Sequence, residues 1–199
     1  MKPLILGVGN ILLSDEGAGV RVVQELEKRP EIQPHFDIID GGTCGMELLD
    51  AMANREHLII VDAVLANKQP GEIIVLHDEQ VPTFFSRKIS PHQLGICDVL
   101  SAMKLTDEFP KHLCLIGIQP ESLESGIGLT ETIQNVLPKV FETLNQVIAE
   151  YGAERIVIGV DGKNGKVAAE GWLDQSDVPM TDLIGAMVEG GAKYFIVTD

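Results

Sequence analysis

At 199 residues the chain suffices for one large domain or one and a half, and 45% hydrophobic against 23% charged residues implies a sizeable core. A net charge of −15 and a pI near 4.6 count against nucleic acid or an anionic membrane as partner, the acids being spread along the chain rather than gathered in a tail. Cys44, Cys97 and Cys114 are odd in number and lack zinc-type spacing, which implies reduced thiols. With short apolar runs, each bounded by turn residues, the expectation is a soluble cytoplasmic protein without a signal peptide or membrane span.

In chain order, Leu4 to Val8 reads as a buried strand that breaks at Gly7 and Gly9 into a tight turn. A helix is expected from Ser14, taken as its N-cap, through Val20, Val23 and Leu26. A dinucleotide fingerprint fails here: position 12 is Leu12 rather than glycine, and the turn carries Asp15 and Glu16 but no base. By themselves those two acids need be no more than groups favoured by a helix N-terminus. Phe36 to Asp40 is a second strand, closed by Gly41-Gly42-Thr43, and Met46 to Ala53 a short helix. His57 to Asp62 is a third, wholly apolar strand that ends in an acid. Glu72 to Leu76 follows the Pro70-Gly71 turn as an edge strand. A loop leads to Ser90-Pro-His-Gln93, placing His92 at the start of a helix over Leu94 to Met103. His112 to Ile118 is a further strand and Thr130 to Tyr151 a long amphipathic helix. Strands alternating with helices imply an α/β fold with a mostly parallel sheet covered on both faces.

Three metal-ligand types lie on elements that such a fold can bring together: Glu16 after the first strand, Asp62 ending the third, and His92 opening a helix. Two carboxylates and one imidazole, with coordination positions left open, suit a borderline divalent ion such as Ni²⁺ or Zn²⁺. The plainer alternatives are a turn-capping Asp62 and a loop histidine that donates to backbone. Cys44 has no base readable beside it and is taken as a plain loop thiol.

The segments Gly7-Val-Gly-Asn-Ile-Leu-Leu-Ser-Asp-Glu-Gly17, Asp40-Gly-Gly-Thr43, Ile60-Val-Asp-Ala63, Ser90-Pro-His-Gln-Leu94 and Gly117-Ile-Gln-Pro-Glu121 occur in one order. Over residues 3–150 they resemble the hydrogenase maturation endopeptidases, which trim the C-terminal tail of nickel–iron hydrogenase large subunits. The resemblance implies a three-layer α/β/α sandwich in which Glu16, Asp62 and His92 bind nickel. That nickel arrives in the precursor subunit, and Zn²⁺ or Cd²⁺ are its natural stand-ins in a crystal. One peptide bond is then cut, with a carboxylate moving water onto a polarised carbonyl; Asp15 and Asp40 are the candidates for that role.

After Glu150 the pattern changes. Arg155 to Asp161 reads as a strand, Gly162-Lys-Asn-Gly165 as a hairpin turn into Lys166 to Trp172, Met180 to Glu189 as a helix, and Lys193 to Thr198 as a last strand. Residues 151–199 resemble the fifth to sixth strands of the (β/α)₈-barrel isomerase of histidine biosynthesis that acts on a phosphoribosyl-formimino substrate. Asp161 then matches that family's catalytic acid, Trp172 a substrate-contacting aromatic and Thr198 a strand-end residue. The partner acid and the phosphate loops of the barrel have no counterpart, so isomerase activity is not expected. The expected organisation is a protease-like domain, 1–150, and a βαβ barrel fragment, 151–199, that either continues the main sheet or pairs as its own lobe. The fragment's strands are apolar on both faces, so without cover they would drive homodimerisation. The alternative to a working endopeptidase is an engineered or recombined chimeric scaffold without selected activity.

Overall fold

The computed structural model describes residues 2–30, 32–86, 91–152, 157–163, 166–169, 174–179, 181 and 194–198, with side chains through residue 150 except at 1, 31 and 87–94. By Cα proximity the chain divides into two compact units, Met1–Thr143 and Leu144–Asp199.

The first unit is built on five strands: β1 (Leu4–Val8), β2 (Asp37–Gly42), β3 (His57–Ala63), β4 (Ile73–His77) and β5 (His112–Ile118). Their order is β2-β1-β3-β5-β4. β1 runs parallel to β2 and β3, and β3 parallel to β5, whereas β4 pairs antiparallel with β5 at the edge. The sheet is therefore mixed and mostly parallel, as its long apolar runs require: all residues of β1 and β3 are buried. From β1 the chain passes to β2 on one side and then returns to β3 on the other. The carboxyl ends of β1 and β3 thus flank the point where strand order reverses, where open α/β sheets form their crevice.

Helices cover both faces. One face, with Leu6, Val8, Leu58, Ile60 and Leu115, packs on Val81 and Phe85 of α3 (Gln80–Phe85) and on Ile96, Val99, Leu100 and Met103 of α4 (Pro91–Leu105). Each such fully buried side chain contributes about 1.5–3 kcal/mol of transfer free energy. The short α2 (Leu49–Met52) adds Met52 to the same cluster. Against the opposite face lies α1 (Ala18–Leu26), whose buried stripe is Val20, Val22, Val23 and Leu26. It sits unusually close. A Cβ at Gly19 would lie 2.1 Å from the Val61 carbonyl oxygen and 2.5 Å from that of Val8. A Cβ at Gly7 would lie 2.3 Å from the Gly19 carbonyl oxygen. The long α5 (Glu131–Gly152) buries Ile133 and Val140.

Two local expectations change. Ser14 does not cap a helix: it opens a 3-10 turn, Ser14–Gly17, and α1 starts only at Ala18. Ser14 has a φ of +50°, and its N–H donates to the Gly126 carbonyl at 3.0 Å, so an inter-loop bond sets this backbone instead of a cap. The helix carrying His92 begins earlier than expected, at Pro91, a residue suited to a first helical turn.

The second unit holds β6 (Val157–Lys163), β7 (Lys166–Ala169), β8 (Asp174–Pro179) and β9 (Tyr194–Thr198), ordered β8-β7-β6-β9. β6 and β9 are parallel, with Asp161 opposite Thr198, and the hairpin strands pair antiparallel. These four strands are ordered in a sheet separate from that of the first unit. The helix expected over Met180–Glu189 and Trp172 lie outside the described residues.

The glycine contacts give a direct test. Gly19→Ala is expected to destabilise the chain by about 3 kcal/mol, since a methyl cannot coexist with two carbonyl oxygens and α1 must lift. A denaturant titration should show the midpoint falling at an unchanged slope.

Candidate functional site

The loops at the carboxyl ends of β1, β2, β3 and β5 build the candidate site. Glu16 lies in the 3-10 turn after β1, a turn that touches β3, and the residue is only 7% exposed. The dense packing around it is visible at Gly9, whose φ is +132° and where a Cβ would lie 1.8 Å from the Glu16 carbonyl oxygen. Only glycine accepts that conformation at that distance.

Asp62, next to last in β3, is fully buried. Strand alternation puts it on the face of Leu58 and Ile60, the face that α4 covers. Its register partner on β5 is Gly117, so no side chain stands beside it on that strand. His92 is in the first turn of α4; its side chain lies outside the described residues. The placement of that turn is nonetheless defined by Gly95, where a Cβ would lie 3.0 Å from the Gly45 Cα. The loop after β2 is latched by Glu47, which accepts from the Gly45 N–H at 3.0 Å. The backbone amides of Glu47 and Gly45 hold that carboxyl below its ordinary range. The amino end of α4 therefore abuts the carboxyl end of the sheet, on the face that carries Asp62. Among the described side chains, no three of His, Cys, Asp and Glu close around a common point.

The acids considered as water-moving bases have other engagements. Asp15 is fully buried and collects four donors. The N–H groups of Glu121 and Ser122 donate to its Oδ2 at 3.0 Å, as does the Thr130 hydroxyl, and the Thr130 N–H donates to Oδ1 at 2.7 Å. Asp40 is exposed, accepting from the Gly42 N–H and from Gln24 Nε2, each at 3.0 Å. Paired with Gly7 in the register, it lies on the α1 face, across the sheet from Asp62. The structure thus gathers the Glu16 turn, Asp62 and the first turn of α4 at one end, and leaves Asp40 on the other face.

The three cysteines are free thiols: Cys44 is exposed, Cys97 half-buried and Cys114 buried. Burial, reinforced by the neighbouring Asp98 charge, pushes the Cys97 thiol up and keeps it protonated. Thr130 is a further residue that builds this end of the sheet, through its two bonds to Asp15. Its signal was legible only in part, as a threonine one position before a helix that begins at Glu131.

Comparison with known proteins finds two families whose matches overlap over residues 126–147. The family model described as hydrogenase maturation protease matches residues 20–147, and that described as histidine biosynthesis protein matches residues 126–199. The hydrogenase 2 maturation protease of Escherichia coli K12 is 54% identical over 157 residues, covering 78% of this chain and 96% of that protein. A hydrogenase expression/formation protein, HupD, of Bradyrhizobium diazoefficiens is 40% identical over 151 residues, 75% of this chain and 79% of its own. Among solved structures, the hydrogenase maturating endopeptidase HybD of E. coli superposes with a TM-score of 0.71 at 52% identity, covering 76% of this chain and 94% of that one. The HybD protease of Thermococcus kodakarensis gives a TM-score of 0.62 at 26% identity, covering 74% and 99%.

Asp15 yields the prediction here. Asp15→Ala should leave three amide donors and a hydroxyl without their acceptor and cost about 3 kcal/mol or more. Hydrogen exchange should show the amides of Glu121, Ser122 and Thr130 losing protection before those of β3.

Proposed function

Because the chain belongs to the hydrogenase maturation protease family, we propose that it removes the C-terminal extension of a nickel–iron hydrogenase large-subunit precursor in the cytoplasm, and that it reads the precursor's nickel through Glu16, Asp62 and His92. One observation supports the reading: Glu16 and Asp62 are both buried, in the turn after β1 and near the end of β3, and those strand ends flank the switch point of the sheet, where such folds place ligand chemistry. The residue types fit the ion, since carboxylate and imidazole ligands suit divalent nickel and three of them leave coordination positions for the precursor. Nickel carried in by the substrate supplies Lewis acidity at the scissile carbonyl. The chain supplies the rest: burial of Glu16 and Asp62 removes competing water, and a fixed backbone holds both carboxylates at the strand ends.

Asp15 serves in this reading as a structural anchor, its oxygens already engaged by four donors. Asp40, tied to Gln24 and Gly42 on the far face, holds α1 to β2. Glu16 and Asp62, the carboxylates that would hold the ion, would then also be the groups available to take a proton from water. Helices on both faces of the first sheet agree with a three-layer α/β/α sandwich for this family.

The second unit is read as a fragment of a barrel of the histidine-biosynthesis type appended to the protease. The family-model match over residues 126–199 and the parallel β6–β9 pair support that reading. No isomerase role is assigned to Asp161 or Thr198. Strands β8 and β9 stand at the edges of the sheet order in this unit, and pairing of two copies along such an edge is the proposed route to a homodimer.

The test is cleavage of a nickel-loaded large-subunit precursor. Glu16→Gln, Asp62→Asn and His92→Ala are each expected to lower kcat/KM at least ~100-fold, whereas Asp40→Asn stays within about threefold. Full activity of Asp62→Asn would remove the nickel-reading role, and a collapse of Asp40→Asn would return the base role to Asp40.

A further inference from the structure

Two loops beside Glu16 form an apolar ridge that the cleavage chemistry does not use. The loop after β1 and the loop before α5 are joined by backbone bonds: the Gly126 N–H donates to the Leu12 carbonyl at 2.9 Å, and the Ser14 N–H to the Gly126 carbonyl at 3.0 Å. Asp15 fastens the same pair of loops from beneath, through Glu121, Ser122 and Thr130. On this rigid base four large aliphatic side chains face solvent: Ile127 is 84% exposed, Leu12 59%, Ile11 38% and Leu123 37%. Isolated exposed leucines are ordinary, but four on two bonded loops beside a candidate site mark an interaction surface.

Charge narrows the partner. Residues 9–17 and 119–131 contain Asp15, Glu16, Glu121, Glu124 and Glu131 and no lysine or arginine. Glu121, Glu124 and Glu131 are exposed, so the two loops that carry the apolar side chains bring only acidic charge with them. A surface of this kind disfavours another acidic body and favours a polypeptide that sets Lys or Arg beside apolar side chains. A second copy of this chain, at −15, is electrostatically the poorer occupant. Leu12 also precedes by two residues the 3-10 turn Ser14–Gly17 that holds Glu16, so the ridge and the candidate site share one loop.

We propose that Leu12, Leu123 and Ile127 are the docking ridge for the precursor polypeptide itself, seizing an apolar segment flanked by basic residues near the bond to be cut. This rests on the endopeptidase reading above. It adds that affinity for the substrate is set by apolar contact at the two loops as well as by the metal.

The experiment measures two quantities on the full chain: the Kd for the purified nickel-loaded precursor, and KM and kcat for its cleavage. The parent is compared with Ile127→Ser and with Leu12→Ser/Ile127→Ser; both side chains point to solvent, and thermal unfolding checks that the fold is retained. The double variant should raise Kd and KM at least tenfold with kcat within threefold. In Glu121→Gln/Glu124→Gln, the dependence of Kd on salt should flatten. A Kd within twofold of the parent would overturn the proposal. So would a loss of affinity that tracks a change from dimer to monomer in light scattering, which would make the ridge a contact between copies. Because Kd needs no turnover, a parent that binds through the ridge without cutting would refute the endopeptidase reading and leave the docking surface standing.

Discussion

A single buried carboxylate holds this end of the molecule together. Asp15 follows β1, yet its donors belong to Glu121, Ser122 and Thr130, the first of them 106 residues further along the chain. A buried charge is tolerable only when fully hydrogen-bonded, and four donors meet that condition here. One interaction therefore orients the turn carrying Glu16, shapes the loop after β5 and anchors the residue that precedes α5. Glu16 owes its position to its neighbour. The adjacent acids are both buried, and the four donors on Asp15 fix the turn in which Glu16 stands.

The second constraint is close approach. Gly19 lets α1 rest directly on the carbonyl oxygens of Val8 and Val61, and Gly45 and Gly95 let α4 begin against the loop after β2. The two contacts set the heights of helices on opposite faces of one sheet. Between them lie the ends of β1 and β3, where the strand order reverses. The site is there because backbone is packed against backbone, where no side chain can adjust.

Much of this was legible in the sequence, and the reason is physical. β1, β3 and β5 are uninterrupted apolar runs, β4 follows a Pro-Gly turn, and an acid closing a buried strand stands out, as Asp62 does. What could not be read depends on residues distant in the chain. Ser14 looks like a helix cap, but a bond to Gly126 forces it to a positive φ, and no local pattern announces that bond. Asp15 and Asp40 looked alike as candidate bases. Register and burial separate them, since one is enclosed by donors and the other is exposed on the α1 face. The change of pattern after Glu150 was legible as a change of family. The strands beyond it form a separate sheet, a matter of pairing partners that composition does not encode.

The proposed function depends on Glu16, Asp62 and His92 binding one nickel ion together. The measurement that tests it most directly is calorimetric titration of the purified chain with Ni²⁺ alongside His92→Ala. The expected result is saturable binding of about one ion per chain that is lost in the variant. Absence of binding in the parent, or equal binding in the variant, would contradict it.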